Sequence, residues 1–282
     1  MSTALDCQKI QQGLTAYARR DLPFRALRPQ FQLLTFETLP STNAELWRRV
    51  EQGTAAAGTA AIALTQTAGR GQRGKTWLST AGGLYLSLLL EPDWPLAALP
   101  QLTLCSAWGI ASQLNALSIP AQIKWPNDLV VAGRKLGGIL TETRLSQAAI
   151  THAVIGVGLN WQNSVPPTGI TLQQVLTRRC LSAPACLEEL AAIVLRGLWE
   201  GICYRQQIGS AAFMKHYQNL LMHRGQSVSL GGNTGSIVGV SETGRLQVRL
   251  YSDHTLETAQ LISFQPGEFS LGYNNSGLDS LV

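Results

Sequence analysis

The sequence predicts an α+β protein: a mixed β-sheet flanked by helices, followed by a small β-barrel. Three observations carry this. Leu84-Tyr85-Leu86-Ser87-Leu88-Leu89-Leu90 is apolar on both faces, as a central strand covered on each side must be. Behind Pro184, residues Leu187, Leu190, Ile193, Val194, Leu195 and Leu198 recur at helical spacing and mark a long helix reaching about Gln206. After Gly225 the texture changes to short alternating runs, among them Val228, Leu230, Ile237, Val238, Val240, Leu246, Val248, Leu250, Leu256 and Leu261, broken by Gly, Asn and Ser turns.

The remaining elements follow in order. Residues 1–30 are mixed and punctuated by Arg and Pro, too short for a three-helix DNA-binding domain, and read as a leader or edge segment. Phe31 to Glu37 suits a strand. Pro40 to Glu45 starts a helix, with Thr42 as N-cap, Glu45 as its capping-box partner and Gly53 as its end. Ala60 to Leu64 forms a strand that runs into a glycine-rich loop, and Leu102 to Leu117 fits a helix. Ile123-Lys124-Trp125 enters a Pro-Asn-Asp loop. Leu129 to Val131, a Gly133-Arg134 turn and Lys135 to Leu140 then make a hairpin, and Ala153 to Asn160 a buried strand. A further helix covers about Ala211 to Met222. The resulting division is a leader (1–30), a main domain (31–223), a small β domain (224–271) and a mobile tail (272–282).

Composition narrows the class. A chain of 282 residues with 45% hydrophobic content can bury a sizeable core, which excludes global disorder. Charged residues are only 14%, against roughly 25% in an average globular protein, so clustered cations stand out. A net charge of +5 permits an acidic macromolecular partner without demanding one. The cysteines Cys7, Cys105, Cys180, Cys186 and Cys203 are odd in number and lack metal-ligand spacing, so they read as reduced. Neither a signal peptide nor an apolar run long enough to span a bilayer is present, and the expected location is cytoplasmic.

The chemistry concentrates in two loops. Thr67-Ala68-Gly69-Arg70-Gly71-Gln72-Arg73-Gly74-Lys75-Thr76-Trp77 combines three glycines, which let backbone N–H groups cup an anion, with three cations that a core would not bury unpaired. Lys124-Trp125-Pro126-Asn127-Asp128 supplies another cation. The first loop is neither a Walker sequence nor a Gly-x-Gly-x-x-Gly turn, so a different nucleotide chemistry is needed.

Taken together, Ser41-Thr42-Asn43, Gln66 to Trp77 with Gly82-Gly83-Leu84-Tyr85, Lys124 to Asp128, Lys135-Leu136-Gly137-Gly138-Ile139-Leu140, Gly156-Val157-Gly158-Leu159-Asn160 and the later Gly267-Glu268-Phe269-Ser270-Leu271 resemble the biotin protein ligase family. The resemblance runs from about residue 31 to 270 and is to the ligase-only class, with no DNA-binding domain in front. It implies the class II synthetase-like fold of biotin and lipoate ligases with an SH3-like C-terminal domain. It also implies that biotin and MgATP form biotinyl-5′-AMP, which a lysine of the biotin carboxyl carrier protein of acetyl-CoA carboxylase then attacks. An oligomer is compatible with it; DNA and membrane partners are not implied.

Residue by residue, the resemblance places Ser41, Thr42, Asn43, Gln66, Arg70, Gly71, Gln72 and Lys124 around biotin, and Arg70, Arg73, Lys75, Trp77, Asn127, Lys135 and Asn160 around ATP and the adenylate. Lys124, Arg70 and Asp128 are the catalytic candidates. Asp128 either orients Lys124, binds Mg²⁺ through water or helps deprotonate the acceptor lysine, and no protein ligand contacts the metal directly. Gln72 stands where the family usually has arginine, which removes one positive charge from over the adenylate. The Gly69 to Trp77 loop is expected to be mobile until an anion arrives. Two rival functions remain: a lipoate or octanoate ligase or transferase of the same fold, and a nucleic-acid-binding module. The first prefers an apolar pocket over Ser41-Thr42-Asn43 with Gln66. The second needs interleaved cations and aromatics, yet residues 226–270 hold only Arg245 and Arg249 beside Tyr251, Phe264 and Phe269.

Overall fold

The computed structural model describes residues 5–18, 29–147, 149–230, 233–252 and 255–273. In chain order, helix α1 (Cys7–Ala16) precedes strand β1 (Gln32–Leu39), helix α2 (Thr42–Glu51), β2 (Thr59–Gln66), β3 (Leu84–Leu90) and the two-residue β4 (Trp94–Pro95). Helix α3 (Leu99–Ala116), β5 (Gln122–Lys124), β6 (Asp128–Val131), β7 (Arg134–Ser146) and β8 (Ala149–Leu159) follow, then helices α4 (Leu172–Arg178), α5 (Leu187–Ile208) and α6 (Ser210–Asn219). The chain closes with β9 (Ser227–Leu230), β10 (Asn233–Val240), β11 (Leu246–Ser252) and β12 (Thr255–Phe264).

The main sheet has the strand order β1-β2-β3-β8-β7-β6-β5, with β4 added on β8. Only β1 and β2 run parallel; every other neighbour is antiparallel, which makes the sheet mixed as its sequence predicts. Period-two alternation sends side chains to two differently covered faces. Ala60, Ile62, Leu84, Leu86, Leu88, Ile155 and Val157 join the large core that includes α3 and α5, whereas Ala61, Leu89 and Val154 pack with Leu46 of α2 on the other side. Cross-strand partners share a face, so Ser87 opposite Gly156, and Gly158 opposite both Tyr85 and Gly138, lie on the α2 side with Glu142. That side builds the site.

The helical layer depends on close approach. A Cβ on Gly109 of α3 would collide with the backbone carbonyl of Gly197 in α5, and Gly201 lies equally close to the α3 backbone. No described helix is long and apolar enough to cross a membrane. All five cysteines are free.

Several sequence expectations are corrected. Residues 1–30 contain α1, capped by Asp6 accepting from the N–H groups of Gln8 and Lys9, with Ile10 and Leu14 buried. Residues 1–4 and 19–28 of that segment lie outside the described residues. Ser41, and not Thr42, caps α2: its backbone is extended and its side chain accepts from the Ala44 N–H at 3.5 Å. Thr42 instead turns its hydroxyl to Gln66 at 3.2 Å, and Glu45 pairs with Arg48 and Arg49. The C-terminal strands form a four-stranded antiparallel sheet, β12-β11-β10-β9, consistent with a small SH3-like domain, but no closed barrel forms among the described residues. Alternation specifies a strand with one buried face; closure needs edge-to-edge pairing, which alternation does not encode. Of the tail expected to be mobile, residues 274–282 lie outside the described residues.

A Gly109→Ala substitution should lower stability by about 1–3 kcal/mol, the usual cost of overpacking, because a backbone carbonyl cannot swing aside as a side chain can. Denaturant unfolding with an unchanged slope checks it.

Candidate active site

Two adjoining cavities open on the α2 side of the sheet. The first is lined by Ser41, Thr42 and Asn43 at the start of α2, Gln66 at the end of β2, Gly138 and Leu140 of β7, and Gly156 and Gly158 of β8. The second, of about 330 Å³, holds Arg73, Lys75, Lys124 and Lys135 around Asp128. Gly71, Gln72, Trp77, Asn127 and Lys135 line both, so the two form one continuous cleft.

Arg70 and Lys135 apart, the first cavity is lined by uncharged groups, and its amides and hydroxyls are fixed by one another. Gln66 Oε1 accepts from the Thr42 backbone N–H at 2.8 Å, while its Nε2 donates to Ser79 Oγ at 2.8 Å. Asn43 Nδ2 donates to Glu142 at 3.0 Å; because a carboxylate only accepts, the Asn43 carbonyl must face Ser87, whose hydroxyl donates to it at 2.6 Å. Glu142 also receives the Trp47 indole N–H at 3.0 Å. Glycine at 156 and 158 leaves room for these groups, since a Cβ there would strike Asn43 Oδ1 and the Trp77 indole respectively.

The second cavity is dominated by positive charge. Asp128 at the start of β6 is shared: Lys135 Nζ lies 2.6 Å from Oδ1, Lys124 Nζ 3.5 Å from Oδ2, and the Tyr273 phenol also donates to Oδ2. Burial lowers the pKa of Lys124 below the ordinary lysine value, and the charges of Lys135 and Lys75 push the same way against the attraction of Asp128. Burial likewise lowers His223, with the Lys124 charge contributing, and raises Tyr273. An anion would relieve this repulsion.

The glycine-rich loop is a tight excursion between β2 and β3. Gly71 N–H donates to the Lys75 carbonyl at 2.6 Å and Trp77 N–H to Gly69 at 3.0 Å, while Arg73 takes the left-handed conformation with φ 57°. Trp77 stands between the cavities under Lys135, 5.2 Å from its Nζ, and its buried indole N–H has no hydrogen-bond partner. The second loop is anchored from the far side by Trp125, whose indole N–H donates to the Gly244 carbonyl at 2.9 Å.

Of the site residues expected from sequence, Ser41, Thr42, Asn43, Gln66, Arg70, Gly71 and Gln72 meet at the first cavity, and Arg73, Lys75, Asn127, Lys135 and Asn160 at the second with Trp77. Lys124 and Arg70 do not share one cavity: Lys124 lines the second, whereas the half-exposed Arg70 lines the first with its guanidinium 3.3 Å from Glu142. Asn160 lends its amide to the Lys135 carbonyl at 3.3 Å and accepts from Asn163 at 3.1 Å. Sequence reading missed Ser87, Glu142, His223 and Tyr273. Glu142 was within reach, since extending the alternation of Gly138 and Leu140 by one step puts it on the same face.

Residues 35–160 match the biotin/lipoate A/B protein ligase family. That stretch is similar to a ligase domain of the family. Its similarity includes the bifunctional ligase/repressor BirA of Bacillus spizizenii, 37% identical over 131 residues that make up 46% of this chain and 40% of that one. BirA of Escherichia coli is 32% identical over 205 residues, 72% of this chain and 63% of its own. The matched part thus spans less than two thirds of these curated relatives. Among solved structures, the biotin protein ligase from Aquifex aeolicus in complex with biotin and ATP superposes with a TM-score of 0.66 at 28% identity, covering 86% of this chain and 99% of that one. The chain therefore has the biotin protein ligase fold.

Anion binding in the second cavity should take up protons in the pH range where Lys124 titrates. An anion beside Lys124 raises its depressed pKa, so the bound state holds more protons than the free one. Calorimetric titration with inorganic pyrophosphate in buffers of differing ionisation enthalpy checks the sign.

Proposed function

We propose that the chain is an ATP-dependent biotin protein ligase. Biotin carboxylate attacks the α-phosphorus of ATP to give biotinyl-5′-AMP and pyrophosphate, and a lysine amine of a biotin carboxyl carrier protein then attacks the mixed anhydride, releasing AMP. The observation that carries this reading is the join between a pocket of hydrogen-bonded amides and hydroxyls, with Arg70 and Lys135 at its edge, and a cavity lined by four cations. A ureido ring needs donors and acceptors but no charge, which the Thr42, Asn43 and Gln66 groups supply. The carboxylate end would then point at the cations.

Charge decides the chemistry of the first step. Bringing a carboxylate to about 4 Å from a phosphate costs about 4 kcal/mol per unit charge pair at an effective dielectric near 20, so the approach needs neutralising groups already in place. Lys124 and Lys135 are the half-buried candidates, with Lys75 and Arg73 on the loop above them. Arg70 would have to leave Glu142 to reach the phosphate. Asp128, held by two ammonium groups, is assigned to orienting Lys124 and Lys135. Mg²⁺ is assigned to the ATP phosphates.

The matching family takes in both biotin and lipoate ligases, but the solved structure above is a biotin protein ligase in complex with biotin and ATP, which favours biotin. The amides and hydroxyls of the first cavity support the same choice. Mixing the purified chain with ATP, Mg²⁺ and biotin and finding no biotinyl-adenylate by mass would overturn the reading, as would lipoate outcompeting biotin in pyrophosphate release.

Two substitutions probe the roles. Lys124→Ala should slow adenylate formation by about 10³, the loss of one pairwise charge term in the transition state. Gly156→Ala, by pushing Asn43 off its position, should weaken biotin binding by about tenfold or more while sparing ATP binding, as titration calorimetry would show.

A further inference from the structure

The segment after the C-terminal sheet forms a strap over the second cavity. Phe269 stacks on Phe264 with ring centroids 5.1 Å apart, and Phe269, Ser270 and Leu271 line the cavity. The Gly272 carbonyl lies 3.2 Å from His223 Nε2. At the end of the strap Tyr273 donates its phenol to Asp128 Oδ2, the oxygen that also faces Lys124, and places its ring 4.5 Å from Lys124 Nζ.

This arrangement has an electrostatic logic. Asp128 offers two oxygens to two ammonium groups and a phenol. Lys135 takes Oδ1 at 2.6 Å, whereas Lys124 stays 3.5 Å from Oδ2, beyond the usual hydrogen-bond distance, and the phenol donates to that same oxygen. A lysine held fully by its own carboxylate is a poor partner for an incoming anion. The ring face meanwhile attracts the ammonium and displaces water from it.

We propose that Tyr273 is a positioning residue for Lys124: its phenol keeps Asp128 from clamping the lysine, and its ring walls the ammonium so that it faces the anion site. The groups that face Lys124 are Asp128 of β6, Lys135 of β7, Lys75 of the glycine-rich loop, His223 after α6 and Tyr273 itself. Tyr273 is the member of this set that both supports the charge and shields it. Its catalytic consequence rests on the adenylation reading above; its effect on Lys124 does not.

The test uses the full chain and compares Tyr273→Phe, which keeps the ring and loses the hydroxyl, with Tyr273→Ala. The first readout is the pH midpoint for reductive methylation of Lys124, followed by mass spectrometry without any need for turnover. The midpoint should rise in Tyr273→Phe, because the freed Oδ2 attracts the ammonium, and should rise less in Tyr273→Ala than the freed Oδ2 and readmitted water alone would give, because the attraction of the ring is lost. The second readout is biotin-dependent pyrophosphate release. In Tyr273→Phe kcat should fall about tenfold with KM for biotin within about twofold, a split that general loosening of the fold would not produce. An unchanged Lys124 midpoint in Tyr273→Phe, or a wild-type kcat, overturns the proposal. Wild-type protein that forms no adenylate refutes the adenylation reading instead, and the methylation midpoints still decide the role of Tyr273.

Discussion

The site depends on holding several like charges together in a half-buried space. Lys124 and Lys135 converge on one carboxylate, with Arg73 and Lys75 lining the same cavity, and Asp128 is the anion that makes the arrangement tolerable without ligand. One carboxylate cannot neutralise the set, so a net positive field remains. The depressed pKa of Lys124 is its signature: burial and cationic neighbours make its charged form costly, and an arriving polyanion offsets that cost. The pocket next door works by hydrogen bonding, in which Thr42, Asn43, Gln66 and their neighbours hold one another so that amide orientations are set in advance.

The sheet makes both halves possible. Its α2 face carries Ser87, Glu142, Gly156 and Gly158 because antiparallel register aligns them across β3, β8 and β7. Where the chemistry needs a group, the strand supplies a side chain; where Asn43 and Trp77 need volume, it supplies none. The opposite face is devoted to the helical layer, in which glycines let α3 and α5 approach to backbone distance. Rigidity on that side fixes the strands from which the site residues project.

Much of this could be read from the chain, and the exceptions share a cause. The both-face apolar β3, the long α5 and the hairpin of β6 and β7 follow from periodicity, and the loops announce themselves by cations set in a poorly charged sequence. Thr42 and Ser41 are both fit to cap a helix, and the choice between them is made by Gln66, twenty-four residues away, which claims Thr42. Helix α1 shows only Ile10 and Leu14 on a polar background, too sparse a stripe to read before its partner α5 is known. The Arg70–Glu142 pair spans seventy-two residues and Tyr273 on Asp128 spans one hundred and forty-five. Such contacts have no local signature, since sequence pattern specifies which face a residue occupies and not which distant partner it meets there.

The indole of Trp125 has a mechanical meaning. It sits one residue after Lys124, is buried, and is bonded to Gly244 in the turn joining β10 to β11. The loop bearing the lysine is thereby riveted to the C-terminal sheet, while Tyr273 reaches back from beyond that sheet to the same lysine. The small terminal module is accordingly half of the socket and not an appendage: lifting it away would pull the floor and the wall from the reacting groups in a single movement.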